Sequence, residues 1–125
     1  MEFVDRKILF HGSYFADFYL ELSPKVQEKI EYVFHIIRQV ERVSTKFLTQ
    51  IEDTEGLYEI RVEFSSNIYR IFCCFDEGSI VVLFNGFQKK KQKTPKIEIE
   101  KALRLKREYF ELKTEGNEKG RNKKR

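Results

Sequence analysis

From Pro24 to Val40 the chain returns to an apolar side chain at every third or fourth position, through Val26, Ile30, Val33, Phe34, Ile37 and Val40. That period predicts an amphipathic helix packed along one side. Ser23 and Pro24 open it, the first as N-cap and the second with a backbone torsion already set for the first helical position. A shorter helix is expected in YFADFYLEL behind Ser13, and a first strand in FVDRKILF, residues 3–10, closed by the His11-Gly12 turn. The period then changes. LYEIRVEF, residues 57–64, alternates Tyr58, Ile60, Val62 and Phe64 on one face with Glu59, Arg61 and Glu63 on the other, the pattern of a half-buried strand. SSN turns the chain, and IYRIFCCF follows as the antiparallel partner, with Tyr69, Ile71, Cys73 and Phe75 inward. After a second turn from Asp76 to Ser79, IVVLFNGF is apolar almost throughout and reads as a strand covered on both faces. Thr94 is expected to cap, and Pro95 to start, a last helix in KIEIEKALRLKREYFEL.

The order is β-α-α-β-β-β-α. It predicts an α+β fold in which an antiparallel meander carries two N-terminal helices on one face and ends in a C-terminal helix. Residues 1–112 form a single domain in this reading. Residues 113–125, KTEGNEKGRNKKR, have almost no apolar content and are expected to be a disordered basic tail. At 125 residues the chain is large enough to bury its own core. Cys73 and Cys74 are neighbours on a strand, so they point to opposite faces and should not bridge, which favours a reducing compartment. No apolar run approaches the roughly 20 residues of a membrane helix, and MEFVDRKILFHG lacks the features of a secretory signal. A soluble, cytoplasmic protein without membrane contact is expected. The scattered glycines form no phosphate loop and the cysteines lack zinc-ligand spacing, so neither cofactor nor metal is expected.

Charge changes the picture only when divided along the chain. The net value is +4, but residues 1–85 carry 9 Lys/Arg against 14 Asp/Glu, residues 86–112 carry 9 against 4, and residues 113–125 carry 6 against 2. Positive charge concentrated on one part of a fold suits a partner such as a nucleic acid backbone. Its densest point is Lys89, Lys90, Lys91 and Lys93, directly after the last strand. A meander would bring that point to the edge of a sheet face on which Arg61 and Arg70 also stand. Two planar guanidinium forks with lysines beside them suit phosphate, and the expected site is a basic concavity on a face the helices leave open. The plain alternative is that Arg61 and Arg70 make cross-strand ion pairs with Glu59 or Glu63.

The blocks LYEIRV, NIYRIFC and GFQKKKQKTP, in this order and spacing, resemble the RelE/ParE superfamily of bacterial toxins. The likeness is closest to the HigB-like branch related to phage-derived host-inhibition proteins, and its element order extends over residues 3–112. The resemblance implies the toxin of a type II toxin-antitoxin pair, neutralised by a cognate antitoxin of helix-turn-helix type and reaching operator DNA only within that complex. It further implies cleavage of messenger RNA in the decoding site of the small ribosomal subunit, by metal-independent attack of a ribose 2′-OH on the adjacent phosphate.

Carried onto this chain, the resemblance makes Arg70 the main phosphate stabiliser and Arg61 a supporting contact. Lys89 and Lys90 hold the backbone or, if one is desolvated by its neighbours, act as acid or base. The expected catalytic set is Arg70, Arg61 and Lys90, and the expected RNA contacts are Lys89, Lys91, Lys93 and Gln88. One departure stands out. Many relatives end the last strand in a Gly-His-Arg type sequence, where this chain has Gly86, Phe87 and Gln88. His11 and His35 fall outside the expected site, Tyr58 and Tyr109 are left as candidate acid/base groups, and the general base is unassigned. Two other readings come from that gap: a ParE-like toxin that binds DNA gyrase without nuclease chemistry, and a non-catalytic relative that binds antitoxin and operator.

Overall fold

The computed structural model describes residues 3–89 and 94–123, with side chains as far as residue 116. Its elements are β1 (Lys7–Phe10), α1 (Tyr14–Leu20), α2 (Pro24–Gln39), β2 (Leu48–Gln50), β3 (Tyr58–Phe64), β4 (Asn67–Asp76), β5 (Ile80–Lys89) and α3 (Lys96–Lys123). The strands form one sheet in the order β1-β5-β4-β3-β2. The expected α+β fold and meander are present, with two differences. β1 pairs parallel to β5, so the sheet is mixed. β2 is an added edge strand, antiparallel to β3 through Leu48↔Ile60 and Gln50↔Tyr58. Its three residues sit in a stretch without period, and the partner strand makes them extended. The first strand is shorter than expected, and Phe3 instead bridges Val40 at the end of α2.

Ser23 Oγ accepts from the Val26 amide at 3.4 Å, and Pro24 occupies the first turn of α2, as the sequence indicates. Ser65 and Ser66 both have positive φ, 48° and 69°, the twist that lets a two-residue turn join β3 to β4 without splaying them.

Both faces of the sheet are covered. On one, Phe15, Val26, Ile30, Val33, Phe34 and Ile37 of α1 and α2 meet Ile60, Val62, Tyr69, Ile71 and Cys73. On the other, Ala102 and Leu105 of α3 meet Leu57, Phe72, Cys74, Val82 and Phe84. The expectation of a face left open by the helices is therefore corrected. β4 is apolar on both parities over IFCCF, and a strand of that kind must be shielded twice. Cys73 and Cys74 lie one on each side as free thiols. Burial pushes both thiols up, Cys74 to about 11.

One irregularity in β5 decides which way the end of that strand faces. Cys73 pairs with Leu83 but Ile71 pairs with Gly86, so Phe84 and Asn85 together oppose the single residue Phe72. This is a β-bulge, and it inverts the facing of every later residue of the strand. Phe87 consequently turns toward α3, where its ring stacks on Phe72 with centroids 5.7 Å apart. Gly86 turns toward α1, and the Phe18 ring packs so close that a Cβ there would lie 2.6 Å from it.

α3 differs from expectation at both ends. Pro95, not Thr94, accepts the first helical hydrogen bonds, from Glu98 at 3.0 Å and Ile99 at 3.3 Å. The backbone also stays helical past Leu112, as far as Lys123, where composition predicts disorder. Just past the apolar stripe, Lys113 Nζ donates to Asp76 at 2.8 and 2.9 Å.

Candidate nucleic-acid interface

Arg61 and Arg70 are direct cross-strand partners, so their side chains leave the same face of the sheet, the one that also carries α3. The bulge adds a third cation. Lys89 pairs with Ile68, two residues from Arg70 on that face. With regular pairing through β5, Lys89 would have emerged on the side of α2.

The three cations differ in surroundings. Arg70 is buried at 9% exposure and Glu59 at 5%. Arg70 Nη1 donates to Glu59 Oε2, and Thr94 Oγ1 donates to Glu59 Oε1 at 3.2 Å. Arg70 thus lies in a clamp: β3 supplies its carboxylate, and the residue before Pro95 holds the other carboxylate oxygen. Burial pulls the Arg70 pKa below its ordinary value. Arg61 is more open, with a side chain 37% exposed and an ion pair of 2.6 Å to Glu63. Lys89 is half-buried, and its pKa is held below that of an ordinary lysine by burial first, then by repulsion from Arg70 and Arg61. Of the described cations in this cluster it is the one placed to exchange a proton.

The cross-strand ion pair foreseen as the plain alternative is present for Arg70, with Glu59, whereas Arg61 pairs with Glu63 of its own strand. They coexist with the shared face and do not separate the arginines. Gln88 is not part of the cluster. Its strand parity turns it to the other side, where Nε2 donates to Asn67 Oδ1 at 3.3 Å. Lys90, Lys91 and Lys93 lie outside the described residues.

Both tyrosine candidates leave the site. Tyr58 faces the other core and packs edge-on against Phe75. Tyr109 donates to Asp76 Oδ2 at 2.8 Å, near the opposite end of β4, about 20 Å along the strand from Arg70. Burial, and then Asp76, push the Tyr109 phenol up to about 12. His11 serves packing: its Nε2 lies 2.7 Å from Glu108 Oε1, between the rings of Tyr14, Phe84 and Tyr109. His35 is exposed on α2. Glu59 and Thr94 are the site residues that sequence reasoning does not select. Glu59 is visible there only as one arm of the ion-pair alternative, and nothing in its alternating strand distinguishes it from Glu63. Among the described residues, no group of three or more His, Cys, Asp or Glu is placed to hold a metal ion. No described helix is long and apolar enough to cross a membrane.

Two strand arginines facing a lysine at the end of the next strand, followed by a Thr-Pro helix start, form a pattern that can be set against known families. A family model described as Phage derived protein Gp49-like (DUF891) matches residues 17–107, from within α1 to the first half of α3. The chain belongs to the Gp49-like family. In general terms this is a family of RelE/ParE-like toxins. The matched segment of the Gp49-like protein includes Glu59, Arg61, Arg70, Lys89 and Thr94, so the whole described cluster falls within it. No curated protein matches the chain.

Proposed function

We propose that this Gp49-like protein is the toxin of a type II toxin-antitoxin pair, of the HigB-like kind, and that it is an endoribonuclease cutting messenger RNA on the ribosome. The observation that carries the reading is the convergence of Arg61, Arg70 and Lys89 on one sheet face, with the Lys89 pKa held low by burial and by both guanidiniums. Cleavage by 2′-OH attack needs three things from a protein: charge to stabilise the phosphorane, a proton acceptor or donor, and fixed geometry. Arg70 and Arg61 meet the phosphate oxygens. The 2′-oxygen forms a bond to phosphorus as the bond to the 5′-oxygen breaks, which leaves a 2′,3′-cyclic phosphate and a free 5′-hydroxyl. Lys89 takes the 2′-OH proton as a neutral amine or gives a proton to the 5′-oxygen as an ammonium. Glu59 and Thr94 act through Arg70, as positioning residues that fix its fork.

The expected partners come from the same reading: a helix-turn-helix antitoxin that neutralises the toxin, messenger RNA in the decoding site of the small ribosomal subunit, and operator DNA only through the antitoxin complex. No cofactor takes part. A second reading, a non-catalytic relative, draws support from the depth at which Arg70 is neutralised by Glu59.

The test is induction of wild type and of Lys89→Met in growing bacteria, with mapping of the 5′ ends of messages. New in-frame ends are expected with wild type and their loss, by at least about a hundredfold, with Lys89→Met. Growth arrest with intact messages and damaged DNA would instead assign gyrase as target. Arg70→Ala alone is a poor probe, because it strands a buried carboxylate at a cost of about 3–5 kcal/mol. It is therefore paired with Glu59→Gln.

A further inference from the structure

Arg61 belongs to two places at once. Toward the middle of the sheet it faces Arg70 and Lys89. Toward the edge, just before β2 begins, the Arg61 amide donates to the Phe47 carbonyl at 2.9 Å, and Arg61 lines a hollow of about 170 Å³. The other walls are Lys29 from α2, Lys46 and Phe47 from the segment entering β2, and Glu63. Three cations face one carboxylate, and that carboxylate is already engaged by Arg61 at 2.6 Å. Phe47 is only half-buried, and the Lys46 ammonium lies over its ring, 5.6 Å from the centroid. Phe47 also packs against the core on the α2 side, and the Lys29 ammonium lies over the Tyr32 ring, 5.0 Å from its centroid. Lys46 is exposed, and the cations neutralise no buried acid.

The hollow has the two features that single-stranded nucleic acid requires, fixed positive charge for the backbone and an aromatic face for a base. Its volume admits one nucleobase, with the cations at its rim left for the phosphate, and Arg61 is the residue it shares with the proposed cleavage site. We propose that it is a subsite for the RNA nucleotide next to the one held at Arg70 and Lys89, an assignment that rests on the RNA-cleaving function proposed for the protein. The phosphate of that nucleotide draws Lys46 off the Phe47 ring and takes Lys29, Lys46 and Arg61 as partners, and the base stacks on the uncovered ring. Glu63 is the group the phosphate displaces from Arg61.

The test separates binding from cleavage by using a six-nucleotide 2′-O-methyl RNA, which has no nucleophile, with fluorescence anisotropy as the readout. Lys29→Ala and Lys46→Ala should each weaken binding about fivefold and flatten the dependence of log affinity on log salt by about 0.7. Phe47→Leu, which keeps the apolar packing, should weaken binding about tenfold with the salt dependence unchanged. Glu63→Gln should tighten it about threefold, an effect no folding defect produces. Unchanged affinity in Lys46→Ala, Phe47→Leu and Glu63→Gln overturns the subsite, and message cleavage by wild type in cells would still stand on its own. The full set of expected affinity changes without message cleavage retains the subsite and overturns the nuclease. A polyglutamate peptide bound as tightly as the RNA, with Phe47→Leu making no difference, would assign the hollow to an acidic protein segment instead.

Discussion

Lys89 and Arg70 illustrate how position, more than residue type, sets chemistry. Both are cations on one sheet face, yet Arg70 is neutralised by Glu59 while Lys89 faces two guanidiniums and no carboxylate among its pKa-shifting neighbours. Repulsion of that kind favours the neutral amine, so removing one source must raise the Lys89 pKa. Arg61→Gln is expected to do so. A side-chain NMR titration of Lys89 checks it, and a value that stays put or falls would contradict the assignment of Arg61 as a neighbour in charge. If Lys89 is the base, the rising limb of the cleavage rate moves to higher pH in the same variant. The arginines and Lys89 were legible from alternation and from the lysine run. The partner of Arg70 was not, because Glu59 and Glu63 share a strand parity and only the docking of Thr94 and burial beneath it distinguish them.

The elements show the same division. Periodicity identified α2, β3, β4 and β5, since each carries its own pattern of burial. It did not show β2, whose extended form is conferred by β3, or the bulge in β5, which appears only when both strands are paired. Gly86 comes directly after that bulge, and α1 is seated on it through the Phe18 ring. Gly86→Ala should force the ring aside and destabilise the protein by about 1–3 kcal/mol, measured by denaturant unfolding. Stability equal to wild type would show that α1 can slide. Along its length to Lys113, α3 is held by polar fastenings: Asn85 Nδ2 donates to the Glu98 carbonyl at 3.3 Å, His11 meets Glu108, and Tyr109 and Lys113 donate to Asp76. The hydrogen bond from Lys113, and to a smaller extent that from Tyr109, holds the Asp76 carboxyl below its ordinary range against the opposing effect of burial. A carboxyl lowered on folding contributes stability that is fully present above its unfolded pKa, about 4, and is lost as pH falls through the folded value. Asp76→Asn should therefore lower stability near pH 7 and flatten its decline below about pH 4, seen by denaturant unfolding across pH. An unaltered acid profile would mean that Asp76 carries no linkage.

For the whole molecule, the division of charge along the chain becomes a division in space. The acidic N-terminal part builds most of the sheet and two helices, and the described basic residues that follow are Lys89 at the end of β5 and those along α3. Residues at both ends of the handover from β5 to α3 touch the site: Lys89 stands beside Arg70, and Thr94 binds the carboxylate that holds Arg70. The bulge turns Phe87 and Lys89 toward α3 and Gln88 away from it. What distinguishes Lys89 from Gln88 as a reactive group is therefore a count. Pairing β5 regularly with all its residues kept would send the lysine to the α2 side and put Gln88 on the face of Arg70. Losing one residue at the bulge would have no such effect, because the shorter strand pairs regularly and its lysine still arrives opposite Ile68. A relative one residue shorter can thus keep the site whole. When such a sequence is aligned with this one, the gap belongs inside the strand, at Phe84-Asn85. Placed in the loop after the strand, it would match the relative's lysine to Gln88 and deny that protein a site it has.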